Sequence, residues 1–527
     1  MIITRTWLEE WMSLSNITTS EIEKKLNSIG LEVDARKEYK IPNGVVVGKV
    51  LECIKHPEAD KLNICQVNVG TGIRKIICGA KNIAKDQFVP VAMIGTIMPD
   101  GLKIKPIKLR GIDSEGMICS STEINLPKLN DGILVLDDSI GCLELGKPLN
   151  EYKVLNDDVI EIELTANRGD CLSIYGIARD LCASFDTSLN DFLPLEDSDS
   201  SIGVGRILQI TNDSVDSVDV QYRVIRCDRF EIPLKISYRL ALIDKERNGI
   251  VDDTNNNIES ILFYATYATG VVLKRYSKNY FSNDETKARI HLKNDENGVV
   301  NIIGKGSKKV ATIGINQDEN SKPTNEDLIQ IVEASYIHPD RVSRIVYEQK
   351  LTTDHHFYRT SRGSEPNLSF GMDYFHSLLK QYSGVKFYAG CNELSAVRKR
   401  ISINLNLDFL TSFIGYKVEA TKIVKILRNL QFGIISSSDN VIVLKVPLFR
   451  EDILRKQDVA EEIIRMIGID NIPSKKLIFA ENEHNSITSK ICKTKRKLRT
   501  SSIVNGFDES VHFVFTEEKK ANELGFK

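Results

Sequence analysis

The segment VVVGKVLECIKHPEADKLNICQVNVG, residues 45–70, decides how the N-terminal part of this chain folds. It contains two β-type runs, and turn-forming residues separate them. Four more such runs follow before residue 137, and Gly, Pro, Asn and Asp interrupt them: KIICGA, FVPVAMIG, GMICSS and GILVLD. Five or more short strands in about 100 residues predict a small closed β-barrel.

Length and composition set the limits of the remaining chain. At about 150 residues per domain, 527 residues predict three or four domains. The hydrophobic fraction of 42% and the charged fraction of 27% exclude disorder of the whole chain. Seventy basic residues nearly balance 72 acidic ones, so only a local patch would favour binding to nucleic acid.

Cysteine usage and the apolar runs predict a cytoplasmic protein. The ten cysteines form no CxxC motif, and we expect reduced and mostly buried thiols. The longest charge-free apolar runs, 89–98 and 261–273, fall short of the ~18 residues that span a bilayer. We therefore expect no association with a membrane.

The patterns on both sides of the barrel predict a multidomain α+β protein. Thr18 and Glu21 form a capping box, and Gly30 stands where that helix should end. Trp7 and Trp11 are interpreted as core residues. The predicted parts are a split helical/α+β domain (1–38 and 151–190), the inserted barrel (39–150), a mixed α/β domain (200–399), a compact βααβα-like unit (400–475) and a final part (476–527).

The barrel carries an uneven charge. Between residues 74 and 110 there are eight basic residues and two acidic ones. A basic face on a small barrel suits the backbone of a nucleic acid. An ordinary solvated surface is the alternative, since lysine is commonly exposed.

Sequence motifs within the barrel favour binding to RNA. The segments HPEADKLNICQVNVG (56–70), CGAKN (78–82) and LRGIDSEGMICSSTEI (109–124) resemble the tRNA-binding barrel of several aminoacyl-tRNA synthetases, which implies a barrel of the OB type. This resemblance implies that exposed cations of the barrel contact tRNA. The candidates are Lys81, Lys85, Lys103, Lys105, Lys108 and Arg110.

Sequence segments outside the barrel resemble one particular synthetase family. LTANRGDCLSIYGIARDL (164–181), VEASYIHPDRVSRI (332–345) and VPLFREDILRKQDVAEEIIRMIGIDNIP (446–473) resemble, in order, the β subunit of bacterial phenylalanine–tRNA ligase. The family implies an (αβ)₂ assembly that joins phenylalanine to tRNA(Phe) with ATP and Mg²⁺, the aminoacylation site lying on the α subunit. It also implies that 200–399 is an editing-type domain, that 400–475 is helix-turn-helix-like (winged-helix-like), and that 476–527 begins a class II synthetase-like domain and stops early.

Four carboxylates after residue 450 are candidate metal ligands. Glu461 and Glu462 follow Asp458 at i+3 and i+4 on one helix face, and Asp452 lies on the preceding loop. Oxygen ligands of this kind suit Mg²⁺, and the resemblance implies a Mg²⁺ ion shared with the α subunit. The alternative is that the acids oppose the helix dipole, with Glu461 paired to Arg465.

The editing-type region departs from the family pattern. Lys274 stands where the family has its editing histidine, and Leu262 and Phe263 replace a Thr-Asn pair. Gly314 and Glu333 are retained. An ammonium group does not position a hydrolytic water as an imidazole does, so the substitutions predict weak or absent editing.

Other candidates and other functions stay open. His355 and His356 adjoin Asp354, which suggests a base or metal site or only a loop; Arg359 and Arg362 suit tRNA phosphate or a carboxylate. A stand-alone tRNA-binding module or tRNA chaperone is the main alternative function, and an independent hydrolase of mischarged tRNA is a second.

Overall fold

The computed structural model describes the chain except residues 193–201, 214, 216, 228–231, 244–256, 283–286, 325, 383, 397, 399, 477–485, 512–515 and 526–527. Two units result, Met1–Ile472 and Pro473–Lys527, and each is described by itself.

The first 38 residues form strands as well as the two predicted helices. The elements are β1 (Ile2–Thr4), α1 (Arg5–Leu8), α2 (Thr19–Ser28) and β2 (Glu32–Glu38). The predicted capping box is present, since Thr18 and Glu21 exchange side-chain and backbone hydrogen bonds. Trp7 and Trp11 are buried, as expected, and Trp7 stacks on Tyr264 with ring centroids 4.8 Å apart.

The barrel follows directly. Its strands are β3 (Val45–His56), β4 (Ala59–Asn68), β5 (Ile73–Cys78), β6 (Phe88–Ala92), β7 (Ile107–Leu109), β8 (Ile112–Ser114) and β9 (Met117–Ile118). The main sheet runs β5-β4-β3-β6-β9, while β7 and β8 pair as a hairpin. After β8 the chain returns beside β5, where the Glu115 N–H donates to the Lys75 carbonyl at 2.8 Å. The sheet therefore curls around an interior of Val67, Val89 and Val91.

After the barrel, the chain completes the sheet that it began. The elements β10 (Asp158–Glu163) and α3 (Ile174–Phe185) follow. Strand β10 lies between β1 and β2, with Ile3 opposite Ile160 and Glu38 opposite Asp158. One three-stranded sheet thus joins segments from both sides of the barrel.

The next region contains two sheets. Its elements are α4 (Val204–Ile207), β11 (Leu208–Asp213), β12 (Val218–Arg226), α5 (Leu234–Leu242), α6 (Asn257–Thr269), β13 (Val272–Ser277), β14 (Ala288–Asn294), β15 (Val300–Ile303), β16 (Lys309–Thr312), β17 (Asn316–Gln317), β18 (Ile329–Ile337), α7 (Pro339–Gln349), α8 (Phe357–Thr360), α9 (Leu368–Tyr382), β19 (Lys386–Phe387) and β20 (Asn392–Leu394). One sheet runs β11-β14-β15-β16-β17; the other runs β13-β18-β12-β19, with β20 also on β12. An apolar core formed by both sheets includes Tyr222, Tyr276 and Ile302.

The following unit has one strand more than the sequence predicts. It comprises β21 (Ser402–Asn406), α10 (Leu407–Ile414), α11 (Ala420–Asn429), β22 (Gly433–Ser437), β23 (Val441–Lys445) and α12 (Lys456–Ile467). Strand β23 lies between β21 and β22, so the order is βααββα. The extra strand is β22, whose run GIISS is too short and polar to stand out as a strand.

The second unit contains α13 (Ile487–Val504) and α14 (Glu518–Glu523). The basic cluster 490–499 lies on α13, where its side chains are exposed. The predicted strand at 510–515 falls largely outside the described residues.

Two further predictions concern membrane-spanning helices and the burial of the cysteines. No helix among the described residues has the length and apolar character needed to cross a membrane. All ten cysteines are reduced thiols, but only five are buried: Cys65, Cys78, Cys119, Cys171 and Cys182. The expectation of mostly buried thiols is wrong for the other five, because apolar neighbours in sequence do not determine whether a side chain faces the core.

Asp157 generates a prediction for pH dependence. Its carboxylate is buried beneath α1 and accepts hydrogen bonds from the Thr6 backbone N–H, at 3.1 and 3.2 Å. Burial raises the pKa of Asp157 to about 6, although bonds from Thr4 and Thr6 oppose the rise. The folded state therefore binds a proton more tightly than the unfolded state, and this contribution to stability is lost as pH rises from roughly 4 to 6.

Asparagine does not titrate, so we expect Asp157→Asn to remove this pH-dependent loss of folding free energy, which is on the order of 2–3 kcal/mol. The thermal midpoint of the variant should fall less than that of the wild type between pH 4 and 6.5. If the thermal midpoints of the two proteins changed in parallel with pH, the raised pKa of Asp157 would be contradicted.

Candidate functional site

The six candidate tRNA-binding cations lie on three neighbouring segments of the barrel. Lys81 and Lys85 are on the β5–β6 connection, Lys103 and Lys105 follow β6, and Lys108 and Arg110 belong to the β7–β8 hairpin. All six are exposed. Within the part of the chain that the structure describes, none forms an ion pair, whereas nearby Arg74 has Glu115 at 3.9 Å. Their charges are thus available to an external anion.

Glu333 lies in the middle of the second sheet, in a row with Tyr222 and Lys274. Tyr222 and Lys274 are its register partners on β12 and β13. The Tyr222 hydroxyl donates to Glu333 Oε2 at 2.9 Å, and the Tyr276 hydroxyl donates to the same atom at 3.2 Å. Burial raises the pKa of Glu333, and Lys274 opposes this shift. The carboxyl is fully buried and accepts hydrogen bonds from two tyrosines through Oε2, while Oε1 has no hydrogen-bond partner among the described residues.

Lys274 is also buried, and its charge has a partner. Its Nζ lies 2.9 Å from Asp354 Oδ2. The other oxygen of Asp354 accepts the backbone N–H of His356 at 2.9 Å. The ammonium group is therefore held in a buried ion pair.

A cavity of about 610 Å³ lies next to this ion pair, beside β10 and the end of α8. Asp354 lines it, together with His355, His356 and Phe263. Lys274, Glu333, Gly314 and Leu262 are not among its lining residues. Of the two substituted positions on α6, only Phe263 reaches the cavity, while Leu262 is part of the core.

Gly314 has a structural reason to be glycine. Its φ is +74°, and an added Cβ would lie 2.4 Å from Ile337 Cγ2. Its carbonyl accepts the Thr360 hydroxyl at 2.6 Å. The residue thus allows β18 and α8 to approach the turn closely.

His356 is buried and His355 is partly buried, and both line the cavity. The two rings lie 3.8 Å apart. Burial lowers the pKa of His355 and places that of His356 well below its usual value. Both rings are therefore neutral at pH 7. The described residues contain no group of three or more His, Cys, Asp or Glu side chains that would hold a metal ion.

Arg359 is engaged within the chain. It is 8% exposed, donates to the Leu172 carbonyl, and lies over the Tyr267 ring at 5.1 Å. Arg362 lies over the Tyr358 ring at 4.0 Å. The hydrogen bond of Arg359 thus ties this loop to the segment around Leu172.

The four candidate metal ligands do not converge. Arg450 binds both Asp452, with two bonds of 2.9 Å, and Glu462, at 2.6 and 2.7 Å. Asp458 accepts the backbone N–H groups of residues 454 and 455 at 2.8 Å and caps α12. Glu461 is exposed, and Arg465 pairs with Glu462, so the expected Glu461–Arg465 pair is absent from the described contacts.

These contacts belong to an extended chain of alternating charges, which we call the ion chain. It runs Asp170, Arg168, Asp180, Arg465, Glu462, Arg450, Asp452, with successive N–O distances of 2.5–2.9 Å. Burial by itself raises the pKa of Asp180, but Arg168 and Arg465 hold it far below its usual value. The same balance, set by Arg450 and Arg465, lowers the pKa of Glu462. Asp180 and Glu462 are thus charged at neutral pH.

Sequence reasoning missed most of these partners. Asp354 lies 80 positions from its partner Lys274. Tyr222 and Tyr276 lie 111 and 57 positions from their partner Glu333, so no local spacing indicates these contacts. The ion chain did leave a signal: Arg168-x-Asp170 and Arg450-x-Asp452 have the same R-x-D spacing, and each forms a bidentate pair.

Comparison with known families defines the class of protein. The family described as "Putative tRNA binding domain" matches residues 45–142, and "tRNA synthetase B5 domain" matches residues 403–469. The first coincides with the barrel and the second with the unit that carries α12. The chain is therefore a mixed α/β multidomain protein of the aminoacyl-tRNA synthetases.

Its relatives give the particular family. The chain is 44% identical over 530 residues to a protein of Sulfurimonas denitrificans, and 42% identical over 534 residues to one of Wolinella succinogenes. A Campylobacter jejuni protein is 40% identical over 527 residues. Each alignment covers all of this chain and 67% of the relative, and each relative is named phenylalanine–tRNA ligase beta subunit. The chain belongs to the phenylalanine–tRNA ligase β-subunit family.

The ion chain generates a prediction for stability. Replacing Arg450 by methionine leaves Asp452 unpaired and Glu462 with one partner only. Breaking such a buried pair costs about 3–5 kcal/mol, because the remaining charge is uncompensated. We expect a clear loss of stability in chemical unfolding. Arg428→Met, an exposed change on α11 of the same unit, serves as the control and should change stability by less than about 0.5 kcal/mol. Equal stability of the two variants would refute the role of Arg450.

Proposed function

We propose that this chain acts as the β subunit of a cytoplasmic phenylalanine–tRNA ligase. With an α subunit, in an (αβ)₂ heterotetramer, it supports the ATP-dependent attachment of phenylalanine to tRNA(Phe). The observation that carries this proposal is the combination of the tRNA-binding barrel and the B5 domain in a chain aligned over its full length with such subunits. A stand-alone tRNA-binding module is not favoured, since the similarity extends far beyond the barrel.

In this proposal the barrel contributes affinity for tRNA. The exposed cations Lys81, Lys85, Lys103, Lys105, Lys108 and Arg110 contact phosphates, which gives binding that weakens as salt rises. The aminoacylation site, with ATP and its Mg²⁺, lies on the α subunit.

The carboxylates at 452–462 do not fit a Mg²⁺ site in the geometry described. Arg450 binds the oxygens of Asp452 and Glu462, and those of Asp458 cap a helix. A hard cation that used all four carboxylates would need Arg450 to leave. We assign no chemical step to such an ion. We assign the carboxylates a role in shaping the helix-turn-helix-like (winged-helix-like) region for assembly.

The region 200–399 acts as an editing-type domain without hydrolytic machinery. Lys274 is held by Asp354, and the Glu333 carboxyl holds two tyrosines and lies away from the cavity. Phe263 lines that cavity with an apolar ring, which offers no hydrogen bond to the hydroxyl of a tyrosine. The segment 476–527 begins a class II synthetase-like domain.

Assembly tests the leading proposal. We expect the chain to form a complex when it is co-expressed with an α subunit from one of the organisms named above. Once joined to the remaining third of the β subunit from the same organism, it should also support charging of tRNA(Phe). The readouts are co-purification and the formation of phenylalanyl-tRNA. A β chain that binds tRNA but never binds α would favour the stand-alone module instead.

Deacylation tests the editing proposal. Presented with tyrosyl-tRNA(Phe), the assembled enzyme should hydrolyse it no faster than the same enzyme with Glu333→Gln, because Glu333 takes no part in hydrolysis. Rapid hydrolysis that Glu333→Gln abolishes in a folded complex would show that the site is active. A related β subunit that retains the editing histidine provides the positive control.

A further inference from the structure

The tRNA-binding barrel lacks aromatic side chains for stacking on bases. Between residues 45 and 142 the only Phe, Tyr or Trp is Phe88, although the overall aromatic fraction of 7% predicts about seven in a segment of this length. Phe88 is half-buried, and the Lys49 ammonium lies 5.4 Å from the centre of its ring. His56 is also buried. Proteins that bind unpaired nucleotides depend on exposed rings, on which the bases stack.

The β7–β8 hairpin presents a cation at a strained tip. Leu109 pairs with Ile112, so Arg110 and Gly111 form a two-residue turn. Their φ angles are +46° and +85°, as a type I′ turn requires. Asparagine, aspartate or glycine normally occupies the first of these positions, and arginine is disfavoured there. The chain thus keeps an arginine where the local backbone favours another residue.

Exposed aliphatic side chains alternate with the neighbouring cations. Ile97 is 63% exposed, Leu102 54% and Ile107 50%. Ile97 is bridged to Lys103 across the loop after β6, and Ile107 precedes Lys108 on β7. This surface combines positive charge with small apolar contacts and offers no flat ring.

From these features we infer that the barrel binds double-helical RNA, with the Arg110 hairpin against the groove. The wide, shallow minor groove of A-form RNA displays ribose, whose carbon atoms suit Ile and Leu, and it is bordered by phosphates, which suit Lys and Arg. Bases remain stacked inside a duplex, so their recognition needs no aromatic platform. The inference rests on the proposed tRNA-binding function and specifies the part of the RNA that is bound: a stem rather than a loop or a free end.

Two RNAs and a matched set of variants test this inference. The full chain is titrated with a fully paired RNA hairpin and with an unstructured single strand of the same length, over roughly 0.05 to 0.2 M salt. We expect the hairpin to bind more tightly. Arg110→Asn should weaken hairpin binding about fivefold at physiological salt and reduce the slope of log K against log salt by about 0.9, the loss of one phosphate contact.

The same substitution controls for folding. Asparagine suits the positive φ of residue 110, so the thermal midpoint should stay equal or rise. Arg110→Lys should keep most of the affinity. Lys128→Asn, which removes an exposed cation paired with Asp131 at 2.6 Å on the same domain, should leave RNA binding unchanged.

Two results would overturn the inference: equal or tighter binding of the single strand, and unchanged hairpin binding by a folded Arg110→Asn protein. A third outcome separates this failure from that of the proposed function. If the chain binds neither RNA nor a tRNA(Phe) transcript, both proposals fail. If it binds the transcript but prefers the single strand, only the duplex inference fails.

Discussion

The ion chain is the interaction on which the arrangement of the first unit depends. Three guanidinium groups alternate with four carboxylates and join the segment around α3 to α12, nearly 300 positions later in sequence. Each internal member has a partner on both sides, so removing one leaves charge buried without compensation. The alternation opposes any sliding of α12 along the segment around α3, because a shift by one charged group would bring like charges together. The two segments are thus fixed in a single register.

The same rule explains the region around Lys274. A buried ammonium is tolerated only beside a carboxylate, and Asp354 provides one. Glu333 stays buried because two tyrosine hydroxyls donate to it. The contacts of Lys274 and Glu333 hold neighbouring strands and a loop together.

Much of this fold was predictable from local pattern. The barrel, the capping box at Thr18, the buried tryptophans and the helix near 458 all follow from periodicity and turn residues, which act over a few positions. The exposure of the six barrel cations also followed from composition. Long-range pairings did not. The R-x-D spacing indicates the pair of Arg450 with Asp452, but nothing near α12 in sequence indicates that Arg465 also binds Asp180, which lies 285 positions earlier. Strand β22 was missed because its short polar run lacks a periodic signal.

The sheet formed by β1, β10 and β2 has a consequence for how the chain is made. Its outer strands leave the ribosome first, but the central strand that pairs with both is encoded only after the barrel. At roughly 5–20 residues per second, the intervening 120 or so residues take on the order of ten seconds to synthesise. The barrel is continuous in sequence and has its own apolar interior, so it can close during that interval. The barrel therefore folds before the split domain that precedes it in sequence. Until β10 is synthesised, β1 and β2 lack the strand with which both of them pair.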